Sequence, residues 1–440
     1  MSLDALEQRV ADEIGRGSDE LVALAGDLVR FDTTTRVGVD DPPRQEAALQ
    51  QYLASRLSAA GAACDLWEPT PDEVPPSKIV PPGLRFDGRP QLAGRFAAAG
   101  EGRSLLLNGH IDVVSPEPRD RWTTDPNEPV VRDGKLYGRG SCDMKGGVAA
   151  MVFAAEILAR LGVRLAGDLV VCTVTEEEST GAGGVAAVAH GVRADAGIVT
   201  EASDFDVWIA CRGSIIPTIT VLGRPGHAGK PHPHWRAGGA VNAIEKATVV
   251  MDALRRLQDD WRGRPDQEHA FLSPGDIVPV VIAGGEWIVS YPASCRLTYH
   301  VGYLPAHADQ DGWGTAVERE LIEWVEKASS TDSWLAENLP TFEWAPEVPS
   351  AEISADEPIV LAMHGAAVDV GRPGRIGGLD NWHDGATFTR FGGTPCICFG
   401  PSGLDVAHTI DEYVPVADLV QCSQAVAVAA MRFCGVAAAD

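Results

Sequence analysis

A chain of 440 residues is too long for one ordinary compact core, so two domains are expected. With 62 acidic against 36 basic residues the net charge is −26, which argues against a nucleic-acid partner, because phosphates call for a basic surface. Hydrophobic residues make up 45% and charged residues 22%, an ordinary globular balance, and no run is long and apolar enough to span a membrane.

Residues 1–17 mix acids, bases and apolar residues and lack the basic and apolar regions of a signal peptide, so a cytoplasmic protein is expected. Ser18 can cap a helix carrying Leu21, Leu24, Leu28 and Val29, and residues 44–60 read as a second helix. The proline-rich stretch 69–88 reads as a surface loop. Residues 104–107 form a short buried strand, 146–161 an amphipathic helix, and 168–175 and 196–200 two further apolar strands. Strands alternating with helices imply a doubly wound, mostly parallel α/β sheet. Near Arg212 the order changes to strand, helix (240–257), strands, helix (312–328), an inserted α+β domain over 213–349. The α/β pattern resumes after Glu357, so residues 1–212 and 350–440 are expected to build one domain. The nine cysteines form no C-x-x-C pair and read as buried reduced thiols.

Five separated positions share one context, an acid or histidine in a loop near the end of an apolar strand. They are Gly109-His110-Ile111-Asp112, the glycine-rich Gly138–Gly147 loop with Asp143, Glu176-Glu177-Glu178, Glu201, and His408. In open α/β sheets ligands bind outside the carboxyl ends of the strands, so all five are expected to face one crevice. Histidine with carboxylates is a ligand set for zinc, cobalt or manganese. Two ions about 3.5–4 Å apart need a shared ligand, and Asp143, in a turn that can approach both, suits that role. Asp112, two residues after His110, can accept the second imidazole N–H and fix the ring. One carboxylate of the acidic run is then left to act as general base on a water. No G-x-S-x-G elbow, Walker loop or H-E-x-x-H motif is present to support a serine hydrolase, an NTPase or a thermolysin-type enzyme.

On these motifs, together with Gly226-His227-Ala228 and Ala407-His408, the chain resembles the M20 metallopeptidases and deacylases. The resemblance implies that His110, Asp143 and Glu201 hold one divalent ion and Asp143, Glu178 and His408 a second. It makes Glu177 the general base and has Asp112 orient His110. It also implies a cis peptide at Asp143-Met144, and a homodimer through the inserted domain in which His227 reaches across the interface to stabilise the oxyanion. The expected activity is hydrolysis of the amide bond of a small N-acyl amino acid. The alternatives are a dipeptidase or carboxypeptidase, or hydrolysis of an unusual C–N bond in a non-amino-acid substrate.

One departure bears on the substrate. Many members carry an arginine shortly before the proline of a D-x-R-x-x-P strand, and it commonly binds a substrate carboxylate. Here the segment is His300-Val301-Gly302-Tyr303-Leu304-Pro305, with Gly302 in that place. Arg212, Arg236 or Arg375 would have to substitute. The loop Asn381-Trp382-His383-Asp384 reads either as a pocket wall or as a surface turn.

Overall fold

The computed structural model describes residues 2–437. The chain divides into two compact units. The first runs up to Ala210 and adds Ala351–Gly378 and the chain from His383 onward; the second is Cys211–Ser350 with Leu379–Trp382.

The first unit is a mixed α/β layer. Strand Leu105–His110 lies between Leu169–Val174 and Ala196–Val199, parallel to both, and Cys396–Cys398 continues the parallel set beside Ala196–Val199. Antiparallel strands close the sheet, Gln91–Phe96 and Ala63–Trp67 on one side and Val207–Cys211 on the other. Leu105–His110 and Ala196–Val199 are buried along their whole length, which is why they read as nearly unbroken apolar runs. Helix Lys145–Arg160 is buried from Lys145 through Leu158, packed against Val416–Cys434. Its first turn rides on the end of a strand: a Cβ on Gly147 would lie 1.8 Å from the Thr200 carbonyl oxygen, next to Glu201. Only glycine permits that approach.

The second unit is an antiparallel sheet with the order Asp276–Gly284, Ser294–Tyr303, Pro217–Leu222, Thr341–Trp344. Helices Ala243–Trp261 and Thr315–Ser329 bury Leu254, Leu257, Leu321 and Val325 in a core of their own with Ile219 and Leu297.

Two sequence expectations need correction. Leu379–Trp382, assigned from sequence to the flanking domain, clusters with the second unit. The reason is local: Arg212 donates its N–H to the Leu379 carbonyl and its Nε–H to the Asp380 carbonyl, and Ser273 N–H donates to the Asp380 carboxylate. The stretch 69–88 is irregular but not merely a surface loop, because Val74, Ile79, Val80 and Phe86 are buried. Among the described residues no helix is long and apolar enough to cross a membrane.

Candidate metal centre

Three of the parallel strands end side by side, and the chain leaves each carboxyl end with a polar residue. His110 is the last residue of its strand and lies beside Val174, the last of the next, after which come Glu176, Glu177 and Glu178. Glu201 follows Ala196–Val199 by two residues. Asp143 arrives from the turn before helix Lys145–Arg160, across the cis Asp143-Met144 peptide. His408 comes from a loop in which its own φ is +60°.

Six of the side chains named from sequence converge here. Nε2 of His110 lies 3.1 Å from Oδ1 of Asp143, 3.2 Å from Oε1 of Glu201 and 3.8 Å from Oε2 of Glu177. Nε2 of His408 lies 3.2 Å from Oδ2 of Asp143 and 3.3 Å from Oε2 of Glu178. Asp143 therefore turns one oxygen to each histidine, the disposition a shared ligand needs. His227 is not part of this cluster; it is exposed and belongs to the second unit.

The acidic run divides its work. Glu176, at φ +70°, turns into the protein, where Oε1 accepts from Arg36 Nε at 2.8 Å and lies 3.3 Å from Arg89 Nε, and Oε2 accepts from Ser179. With Glu176 tied to two buried arginines, Glu177 and Glu178 are left for the centre.

Asp112 acts through different atoms from those expected. His110 Nδ1 meets the backbone carbonyl of Asp112 at 2.8 Å, while the carboxylate oxygen lies 3.7 Å away. The carboxylate instead accepts the N–H groups of Glu177 at 3.3 Å and Glu178 at 3.1 Å. The strand ends at His110, so the chain turns and presents the Asp112 carbonyl to the ring. One residue thus orients a histidine with its backbone and the acidic run with its side chain.

The charges do not balance within the protein. Four carboxylates (Asp143, Glu177, Glu178, Glu201) face two histidines. Burial pushes Glu178 up to about 7, and Asp143 adds to the effect. Burial also lifts Glu201 and lifts Glu177 well above the usual carboxylate range; His110 opposes the rise at Glu177, while Glu201 and Asp384 reinforce it. Asp143 is opposed by burial but held low by its hydrogen bonds to His110 and His408. Oε1 of Glu178 is buried with no hydrogen-bond partner among the described residues. Two sets of ligand atoms, His110–Glu177–Glu201 and His110–Asp143–Glu178, each lie within 4.8 Å of one another. An excess of buried oxygens, one of them orphaned, fits divalent cations.

Sequence reasoning missed two features. Glu412, four residues after His408, is fully buried and accepts the N–H groups of Cys142 at 2.9 Å and Asp143 at 3.1 Å. Asp384 was read as part of a pocket wall or a surface turn, yet Trp382, His383 and Asp384 are all buried. Among the described residues the Asp384 carboxylate has no hydrogen-bond partner, and burial pushes it up to about 8. The only sequence signal for either was an acid close to a candidate ligand or to an apolar strand.

Fold and site together define a metal-binding centre at the carboxyl end of a parallel α/β sheet, and with the family to which the chain belongs they make the protein a metallohydrolase acting on C–N amide bonds. The chain belongs to peptidase family M20/M25/M40, whose family model matches residues 106–432. It is similar to an N-formyl-4-amino-5-aminomethyl-2-methylpyrimidine deformylase of Bacillus subtilis (strain 168), 28% identical over 428 residues and 92% of each chain. A succinyl-diaminopimelate desuccinylase of Xanthomonas oryzae pv. oryzae (strain MAFF 311018) is 31% identical over 388 residues, 85% of this chain and 90% of that one. In fold it matches human carnosine dipeptidase 1 with a TM-score of 0.72 at 16% identity, over 98% of this chain and 99% of the other.

Proposed function

We propose that this chain is a two-ion deacylase that removes a short acyl group, of the formyl class, from a small amine lacking an α-carboxylate. The observation that carries the reading is the state of the arginines. At Gly302 a Cβ would come within 3.0 Å of the Arg212 Cζ, so Arg212 occupies the space beside it. Arg212 is already committed: it donates to the carbonyls of Asp380 at 2.8 Å and Pro274 at 2.9 Å and pairs with Asp276 at 3.1 Å. Arg236 pairs with Glu337 at 2.6 Å and Arg375 with Asp206 at 3.1 Å. None of the three is left as an unpaired fork for a substrate carboxylate. Deformylases from Bacillus subtilis and Halalkalibacterium halodurans, both named for an aminomethylpyrimidine, match along more than nine-tenths of this chain. An N-acyl amino acid is the second reading, favoured by the desuccinylase relative.

His110, Asp143 and Glu201 would hold one ion and Asp143, Glu178 and His408 the other. Zinc, or cobalt or manganese, bound there would polarise the amide carbonyl and acidify a water molecule. Glu177 takes the proton from that water and hands it to the departing amine nitrogen. Asp112 holds the Glu177 backbone and the His110 ring in place. Eight of the nine cysteines are buried, a setting typical of reduced thiols that supports a cytoplasmic location.

The reading includes a homodimer through the second unit, with no nucleic-acid or membrane partner. The edge strand Asp276–Gly284 exposes Val278, Val280, Val281 and Ile282, the last by 59%, an apolar edge that a second copy would cover. Nδ1 of His227 accepts the Gly229 N–H at 3.0 Å, so the neutral ring carries its proton on Nε2 as a ready donor. His232 spends its Nε2 on the His227 carbonyl, while His234 shares the His227 arrangement, its Nδ1 accepting the Arg236 N–H; the Gly226-His227-Ala228 motif is what favours His227 over His234.

Substrate ranking, oligomeric state and the His227 variant test this. A screen of metal-loaded enzyme should give N-formyl heteroaromatic methylamines a kcat/KM about tenfold or more above N-succinyl amino acids, N-acetyl amino acids and dipeptides. The opposite ranking would replace the reading with the N-acyl amino acid one. Sedimentation should give a dimer, and His227→Ala should lose about 10²–10³-fold in kcat with metal content intact. Mixing His227→Ala with the inactive Glu177→Ala chain should restore activity, because one of the two sites in the heterodimer is then complete. Verified exchange without recovery would place His227 outside the partner's site.

A further inference from the structure

We infer that Glu412, with Arg139 behind it, is a positioning residue that holds the bridging aspartate and His408 in register, so that the integrity of both ion positions depends on it. The inference rests on the reading of Asp143 as the shared ligand. Glu412 is fully buried. One carboxylate oxygen, Oε1, accepts both the Cys142 and the Asp143 N–H, and the other is paired with Arg139, whose side chain is only 2% exposed. The Glu412 carbonyl accepts the Gly138 N–H at 3.0 Å. Most of the Gly138–Asp143 turn therefore hangs on this one residue.

The topology explains why it can. Strand Lys135–Tyr137 runs directly into that turn, and strand Tyr413–Pro415 starts directly after Glu412. The two are antiparallel neighbours, with Tyr137 opposite Tyr413. The Asp143 turn and the His408 loop thus leave the same end of one ladder, and Glu412 sits where they part. The His408 loop is pinned a second time: the Asp411 carboxylate accepts the Thr123 N–H at 2.8 Å and hydroxyl at 2.5 Å. His408 and Asp411 both adopt positive φ, +60° and +56°, a conformation that ordinary side chains seldom hold without such ties.

A merely structural ion pair and a positioning clamp predict different outcomes. Removing one partner strands a buried charge and costs stability, whereas replacing both with apolar residues often restores it. The test compares the parent with Arg139→Leu/Glu412→Leu and with Glu412→Asp, which keeps the charge opposite Arg139 but shortens the reach to the two N–H groups. Each variant is assayed metal-free for its melting temperature and then titrated with zinc against a chromophoric chelator. The expected result is a folded protein in at least the aspartate variant and zinc binding weakened about 10–100-fold at both positions. Tight binding of two ions by a folded variant of either kind would overturn the inference. Asp143→Ala serves as the control: if it too keeps both ions tightly, the shared-ligand reading has failed instead.

Discussion

Asp143→Ala is expected to lose both ions and all measurable turnover, the largest effect of any single substitution in this chain. Asp143 is the one side chain with an oxygen toward each histidine, at 3.1 Å to His110 and 3.2 Å to His408. Deleting it leaves His110 with Glu201 on one side and His408 with Glu178 on the other, two protein ligands each, below the three that catalytic zinc sites keep. The metal-free variant is expected to fold, because Asp143 lies outside the apolar core, although it loses the two hydrogen bonds to His110 and His408 and should melt somewhat lower. Metal analysis after exhaustive dialysis, with the melting temperature of the metal-free protein alongside, checks both parts. Two retained ions per chain would refute the shared-ligand assignment, and one would move the bridge to another carboxylate.

Glu177→Gln is expected to keep both ions and the fold while losing about 10²–10⁴-fold in kcat, the usual range for removing general acid–base catalysis. Its neighbour should behave differently. Glu178 lies 3.3 Å from the His408 Nε2, so Glu178→Gln should release one ion and lose activity through that loss. The amide replacements are nearly isosteric, so cavity and packing effects stay small and the contrast is between proton transfer and ligation. Metal stoichiometry and single-turnover rates on the same preparations separate the two. If Glu177→Gln lost the ion and Glu178→Gln kept it, the roles within the acidic run would be exchanged. Glu176→Gln offers a further contrast: it touches Arg36, Arg89 and Ser179 rather than the histidines, so its cost should appear in stability.

Much of the site is legible because of where a parallel sheet ends. Once 104–107, 168–175 and 196–200 are read as neighbouring buried strands, the residues that follow them must emerge at one edge, whatever the details of packing. That places His110, the acidic run and Glu201 together before any coordinate is known. Glycine does the same for Asp143, since the Gly138–Gly147 turn makes little sense without a close approach. The fifth approach, by His408, is placed by its loop near the end of an apolar strand, while its role as a ligand comes from the family motif.

What the chain alone leaves open is decided by partners far away in sequence. Three consecutive glutamates are equivalent in a local reading. Only Arg36 and Arg89, contributed by the N-terminal segment, turn Glu176 away from the centre. An H-x-D spacing says that Asp112 lies near the His110 ring but not that its carbonyl takes the ring nitrogen while its carboxylate holds the next loop. Nothing local marks Glu412, and its buried contact with Asp143 exists only because two short strands pair at that point, with Tyr137 opposite Tyr413, 276 positions further along the chain. Local sequence sets period, burial and chain direction through steric and hydrophobic effects between near neighbours. The choice among chemically identical side chains is made by buried ion pairs and backbone hydrogen bonds whose two halves meet only when the sheet has formed.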